Sequence, residues 1–240
     1  MSRLTQSLLL VLLGGAVLRI SLLSTTYLNY VKPGFRPFLV AAGLVVFVLG
    51  LVGVYQEWRK NSHEDEHEHG HGHGHGPGVA WLLTLPVFAI FLIAPPALGA
   101  FAARSEEVPA RPPVAALDAY APLASGQVTA MPLGEFIGRA WGDSGRSLAG
   151  RQVRLTGFVV PSKKKDRWYV ARIQIACCAA DGIPLKVAVL DADAPPENTW
   201  VEVTGTWVDP KLEELPKGTV APELSAGSVT VIPAPVEPYE

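Results

Sequence analysis

The residues of this sequence best suited to chemistry are two adjacent cysteines and a nearby aspartate. Cys177 and Cys178 are the only cysteines of the chain, and Asp181 follows three residues after them. If both cysteines continued a β-strand, their side chains would point to opposite faces and could not bind one ion. The small residues and Pro184 that follow predict a tight turn, which Asp181 can cap by accepting hydrogen bonds from nearby amides. In such a turn both sulfurs and the carboxylate can converge on one metal, and these ligands suit zinc or copper(I).

Three interpretations of the cysteine pair remain open. The first is metal ligation, which needs a further ligand from a partner protein or from water. The second is a redox-active or vicinal disulfide. The third is a pair of buried structural thiols, because free cysteine is among the most buried residue types. The neighbouring carboxylate of Asp181 favours ligation.

A second candidate metal-binding segment contains every histidine of the chain. It alternates histidine with glycine or acidic residues and has no apolar residue to bury, which predicts a disordered loop over residues 61–78. A flexible His-Gly repeat can fold several imidazoles around one zinc, copper or nickel ion, so low-affinity capture is the predicted role. A solvated polar loop is the alternative. The candidate ligands are His63, His67, His69, His71, His73 and His75.

Three apolar stretches in the first hundred residues predict transmembrane helices. They lie at about residues 4–23, 38–55 and 79–102. About 20 helical residues cross the ~30 Å hydrocarbon layer, and Pro95 and Pro96 predict a kink or an early end in the third helix. Arg59 and Lys60 at the end of the second stretch favour a cytoplasmic His-rich loop. A multi-pass protein of a bacterial cell membrane with an extracytoplasmic C-terminal domain is therefore expected.

The second half of the chain has the composition of a soluble domain. A Pro- and Ala-rich linker is predicted over residues 104–128, a β domain over 129–235 and a tail over 236–240. Helical spacing around residues 133–141 makes Phe136, Ile137 and Trp141 candidate core residues. Alternating patterns then predict five strands at residues 152–160, 168–176, 185–190, 200–208 and 228–232.

The predicted fold class is a membrane-anchored α + β protein. Three N-terminal transmembrane helices precede a small OB-like β-barrel domain with one short helix, because five strands in about 80 residues fit such a barrel. The net charge of −2 and the lack of a long basic face argue against nucleic acid as a partner. The basic run at residues 163–167 is interpreted as the turn between the first two strands.

Residues around the cysteines also resemble a known family. The stretch from Arg172 to Pro184 looks like the Cys-Cys-x-Ala-Asp signature of the YcgQ-type bacterial membrane proteins, and Gly157-Phe158-Val159 is similar to their first-strand motif. The resemblance covers nearly the whole chain. It implies a partnership with a multi-span permease encoded nearby and a link to zinc or another divalent metal. It supplies no catalytic residue.

The predicted function is therefore that of a non-enzymatic accessory subunit of a membrane permease, in zinc or other divalent metal transport or homeostasis. In this hypothesis the His-rich loop captures metal and the Cys-Cys-Asp turn binds or senses it. One alternative is a membrane-anchored thiol redox protein or sensor. The other is a structural adaptor whose thiols are buried.

Overall fold

The computed structural model divides into two compact units, Met1–Pro96 and Ala97–Glu240. It describes residues 3–61, 95–105, 120–164, 166–210 and 221–240. The whole His-rich tract lies outside the described residues. So do residues 79–94 of the predicted third transmembrane helix and residues 106–119 of the predicted linker.

The first unit contains two long apolar helices, α1 (Arg3–Leu22) and α2 (Arg36–Asn61). At 1.5 Å per residue, 20 residues are about 30 Å long, so both helices are long and apolar enough to cross a membrane. They coincide with the first two predicted stretches. Pro33 and Gly34 lie in the connection between them, within a single 3-10 turn Pro33–Phe35.

Glycines allow the backbones of α1 and α2 to approach each other closely. A Cβ atom on Gly14 would lie 2.5 Å from the backbone nitrogen of Phe47, and one on Gly50 would lie 2.6 Å from that of Val11. Such contacts are typical of helix pairs in membranes, where packing of small residues replaces the hydrophobic drive between helices. Large apolar side chains such as Leu12 point away from this contact and are exposed.

The predicted third transmembrane stretch is interrupted at Pro95 and Pro96, where the sequence predicted a kink or an early end. Residues 95–99 have no regular secondary structure, and only a six-residue helix, α3 (Ala100–Ser105), follows. Ala100 and Ala103 on this helix are buried against β-strand residues of the second unit. Alanine, leucine and phenylalanine suit a protein core as well as lipid, so the apolar composition of residues 97–102 did not show that they belong to the second unit.

The second unit is built on a mixed sheet of six strands. The predicted helix is present as α4 (Leu133–Gly142), preceded by the two-residue strand β1 (Thr129–Ala130). The five predicted strands are observed as β2 (Gln152–Pro161), β3 (Trp168–Gln174), β4 (Ile183–Leu190), β5 (Trp200–Val208) and β6 (Glu223–Val231).

The strands pair in the order β1-β2-β3-β4-β6-β5, and β5 also pairs with β2. Strand β2 changes partner along its length: Gln152 to Phe158 pair with β5, whereas Phe158 to Pro161 pair with β3. Gly157 lies at this change, where an added Cβ atom would come 2.4 Å from the carbonyl oxygen of Ala171. Gly205 marks a register shift between β5 and β6, as expected for a glycine in a strand.

Two apolar clusters stabilise this unit. The larger one is covered by α4, whose Leu133 and Phe136 are fully buried, and Ile137 is also buried in it. Trp141 is only partly buried at its edge. The smaller cluster lies at residues of β2 and β3 that pack against α3 and Tyr239.

Residues 236–240, which were predicted from the sequence to be a tail, pack onto the sheet. Tyr239 forms a parallel bridge with Ile173, and the amide of Ile175 donates a hydrogen bond to the carbonyl of Glu240 at 2.9 Å. The Glu240 carboxylate accepts the amides of Leu133 and Gly134 at the start of α4, at 2.8 and 3.0 Å. This packing was not predictable from the sequence, because a segment of five residues is too short to show a periodic pattern.

Candidate metal centre

The two cysteines lie in the turn between β3 and β4, as the sequence predicted. Strand β3 ends at Gln174, the short 3-10 turn Ala179–Asp181 follows the cysteines, and β4 begins at Ile183. The chain leaves the strand before Cys177, so the alternation that would separate the two side chains no longer applies.

Asp181 organises this turn through backbone hydrogen bonds. Its Oδ1 accepts the amide of Ala176 at 2.9 Å, and its Oδ2 accepts the amides of Cys177 and Cys178 at 2.8 and 3.4 Å. The carbonyl of Cys178 accepts the amide of Asp181 at 3.1 Å, which closes the turn. The predicted capping role of Asp181 is therefore confirmed.

The turn brings the predicted ligand atoms together. The two Sγ atoms are 3.6 Å apart. One ligand atom each from Cys177, Cys178 and Asp181 lies within 4.8 Å of the others, so this group could hold a metal ion. Both thiols are free and half-buried, and neither belongs to an apolar cluster.

The electrostatics of the turn keep the first thiol protonated. A hydrogen bond to the Asp181 carboxylate is the main cause that raises the pKa of Cys177 to about 12, and the neighbouring Cys178 adds to it. The same hydrogen bond, together with the three backbone amides, lowers the pKa of Asp181 to about 2. A negative charge already fixed at Asp181 thus opposes a second one on sulfur, and only a bound cation would offset both.

Segments distant in the sequence form the support behind the turn. Leu98 and Ala179 pack against the smaller apolar cluster, and the amide of Leu98 donates a hydrogen bond to the hydroxyl of Tyr239 at 2.9 Å. The Asn198 side-chain oxygen accepts the amide of Ala100 at 2.9 Å and so fixes the start of α3. Sequence reasoning missed these supporting residues, because nothing in their local pattern indicates long-range packing.

The predicted site residues fall into two groups. Cys177, Cys178 and Asp181 are brought together in one turn. The six predicted histidine ligands, His63, His67, His69, His71, His73 and His75, lie outside the described residues. Within the described part of the chain, the turn is the one group of three metal-ligating side chains that converge.

Comparison with known protein families matches two stretches of the chain. Residues 8–111 match the DUF1980 N-terminal domain, and residues 143–240 match the DUF1980 C-terminal domain. The chain carries both DUF1980 domains. The Cys-Cys-Asp turn lies within the DUF1980 C-terminal domain, and both matches are consistent with the resemblance to YcgQ-type proteins. No curated protein and no solved structure matches the chain.

Proposed function

We propose that this protein is a membrane-anchored metal-binding subunit, not an enzyme, and that it works with a multi-span permease of the bacterial cell membrane. Zinc or another divalent ion is its proposed cargo. The observation that carries the metal-binding part is the convergence of Cys177, Cys178 and Asp181 within 4.8 Å of one another. The permease partnership rests on the resemblance to YcgQ-type proteins, and the two long apolar helices supply the anchor.

The spacing of the two sulfurs favours a tetrahedral ion. Two sulfurs 3.6 Å apart, each ~2.3 Å from one zinc ion, subtend an angle of about 103° at the ion, close to tetrahedral. A linear two-coordinate ion with bonds of that length would need its sulfurs about 4.6 Å apart. The turn therefore suits zinc better than a two-coordinate copper(I).

The ligand count favours exchange over permanent storage. Structural zinc sites have four protein ligands, whereas this turn offers three at most. Asp181 already accepts three amides, so its Oδ1, which accepts only one of them, is the oxygen best able to bind a metal. An incomplete site that must lose its thiol protons before it binds suits a subunit that receives and releases metal.

The thiol redox alternative is supported by the contact of the two sulfurs at 3.6 Å. It is disfavoured by Asp181, since reactive cysteines have a lowered pKa and the pKa of Cys177 is raised to about 12. The structural-adaptor alternative requires buried thiols, and both cysteines are only half-buried. Metal binding is the function that the geometry supports best.

The proposal extends to topology and to the His-rich tract. The tract captures metal on the cytoplasmic side, three spans place the C-terminal domain outside the cytoplasm, and the β domain is an OB-like barrel. The pairing of β2 with both β3 and β5 supports the barrel interpretation. Accessibility of Cys177 to a membrane-impermeant thiol reagent in intact cells tests the topology, because labelling only after lysis contradicts it.

A zinc titration of the full chain in detergent tests the metal site. The chain is compared with three variants: all six histidines replaced by glutamine, Cys177→Ser with Cys178→Ser, and both sets combined. The histidine variant is expected to retain one tight equivalent of zinc, measured against a chelator, and the combined variant to retain none. Asp193→Asn is a matched control, because this exposed aspartate lies outside the turn. Equal tight binding by the histidine variant and the combined variant would refute the site.

Co-purification tests the permease partnership. The tagged chain is isolated from native membranes, and the proteins eluting with it are identified by mass spectrometry. A multi-span permease whose gene lies next to the gene for this chain is expected at stoichiometric yield. Its absence, with the tagged chain folded and membrane-bound, contradicts the partnership without affecting the zinc result.

A further inference from the structure

A cavity of about 390 Å³ opens in the second unit, away from the cysteine turn. It lies where β2 separates from β3. On one side β1 pairs with the first half of β2, and on the other side Tyr239 pairs with the second half of β3. The lining residues are Ala130, Met131, Pro132, Arg154, Thr156, Arg172 and Glu240.

The polar lining comes from Arg172 on β3 and from the face of β2 that turns away from the larger apolar cluster. Arg154 and Thr156 are two residues apart on β2, and the residues between and before them, Leu155 and Val153, are fully buried. Arg154 and Thr156 therefore share one face of β2. Arg172 on β3 lies between the buried residues Ala171 and Ile173, which belong to the smaller apolar cluster.

The guanidinium of Arg172 is held in place without a direct ion pair. It lies over the ring of Trp200 at 5.6 Å and donates to the carbonyl oxygen of Glu237 at 2.7 Å. A second, longer hydrogen bond of 3.4 Å reaches the carbonyl of Tyr239. The ion pairs among the described residues do not include Arg172, and its buried Nε atom has no hydrogen-bond partner there.

Two arginines and one glutamate line the cavity, so its charged lining side chains sum to one positive charge. Arg154 is paired only loosely, at 4.0 Å from Glu202. The carboxylate of Glu240 also lines the cavity and accepts amides at the start of α4, and both it and the carboxylate of Glu237 attract the charge of Arg172. Burial lowers the pKa of Arg172 more than the carboxylates of Glu240 and Glu237 raise it, so its charge is still poorly solvated, and a further anion would offset that cost.

We propose that this cavity binds a small, water-soluble oxyanion, a carboxylate or a phosphate group, through Arg172 and Arg154. A planar guanidinium presents parallel N–H donors that match two oxygens of such a group. The hydroxyl of Thr156 adds a neutral donor, and the apolar residues Ala130, Met131 and Pro132 limit the size of the ligand.

Titration of the full chain in lipid-free detergent with inorganic phosphate and with succinate, followed by calorimetry and thermal unfolding, tests this proposal. One of the two anions is expected to bind and to raise the unfolding temperature. Arg172→Gln and Arg154→Gln are expected to weaken that binding at least tenfold. Arg151→Gln is the matched control, since this arginine lies next to β2 but does not line the cavity. It should bind like the wild type.

A carboxylate introduced into the cavity gives a test that does not require removing an arginine. Thr156→Glu leaves Arg154 and Arg172 unchanged, and its side chain should occupy the site. Loss of the anion response with an unchanged or raised unfolding temperature is the expected result. A normal response in Thr156→Glu, or a flat titration of the folded wild type with both anions, overturns the proposal.

Two further outcomes separate this site from others. Stabilisation by phosphatidylglycerol nanodiscs, without a response to either soluble anion, would assign the arginines to a lipid headgroup and overturn the proposal. Cys177→Ser with Cys178→Ser should keep full anion binding, because neither cysteine lines the cavity. The result for the anion site is therefore independent of the result for the metal site.

Discussion

Replacement of Asp181 by asparagine should make the thiol of Cys177 easier to deprotonate. The carboxylate is the largest cause of the raised pKa of Cys177, about 12 against an ordinary 9.0. Asparagine keeps nearly the same shape but carries no charge. The pKa of Cys177 should therefore fall toward 9.0 in Asp181→Asn.

The expected change in the alkylation rate of Cys177 follows from the fraction of the thiol that is deprotonated. At pH 8 a fall of three units in pKa multiplies the thiolate fraction by about 10³, whereas the weaker intrinsic nucleophilicity of the less basic thiolate lowers the rate by roughly 15- to 30-fold. Alkylation by iodoacetamide should accelerate by up to about 30- to 60-fold. This is an upper limit, because burial and the Cys178 position also contribute to the raised pKa.

The assay compares single-thiol proteins. Cys178→Ser and Cys178→Ser with Asp181→Asn are treated with iodoacetamide from pH 7 to pH 11, and modification of Cys177 is followed by mass spectrometry. Asp193→Asn in the same background is the control for a lost surface charge, because this exposed aspartate lies outside the cysteine turn. Equal rates with and without Asp181, or an inflection near pH 9 in both proteins, would refute the electrostatic account of the turn.

Three further predictions concern stability. Phe136→Ala should lower the free energy of unfolding by about 3–5 kcal/mol in denaturant titrations, because the ring is fully buried. Gly14→Leu should lower the unfolding temperature of the detergent-solubilised chain, since a Cβ atom there meets the backbone of α2 at 2.5 Å. Stability should also fall in acid: the pKa of Asp181 is about 2 when folded and ordinarily 3.8, so its contribution is present above about pH 4 and is lost toward pH 2. Thermal melts across this range should be flatter in Asp181→Asn.

Each of these changes has a control and a contradicting result. Val236→Ala, at a side chain 67% exposed, should change stability by no more than about 0.5 kcal/mol. Gly34→Leu should be tolerated, because no atom lies within 4 Å of a Cβ atom there. A loss in Gly34→Leu equal to that in Gly14→Leu would contradict the helix contact. If the unfolding temperature falls toward low pH as steeply in Asp181→Asn as in the wild type, the role assigned to that carboxylate is contradicted.

Local patterns predicted most of the secondary structure. The long apolar runs indicated α1 and α2, and alternation indicated the strands, because a helix or strand with a buried face must repeat its apolar residues with its own period. The turn at Cys177 was also predictable, since two adjacent thiols can meet only where the strand ends. The side chain of Asp181 then had three amides within reach.

Long-range packing was not predictable from these patterns. Leu98 belongs to an apolar stretch whose composition suits a lipid-facing helix and a protein core equally well. Glu240 belongs to a segment that is too short to show a periodic pattern. The cavity was missed for the same reason: alternation assigns Arg154 and Arg172 each to a strand face, but only the change of partner along β2 places them around one opening.

The hydrogen bond between Leu98 and Tyr239 joins residues 141 positions apart. Closing so long a loop costs entropy before any contact compensates for it, and folds rich in such contacts form slowly. As the chain leaves the ribosome, the cysteines emerge about 60 residues before Tyr239, so their turn is synthesised well before its support exists. The cysteine turn therefore gains its packing support among the last steps of domain formation, and until then only the local hydrogen bonds of Asp181 arrange the two thiols.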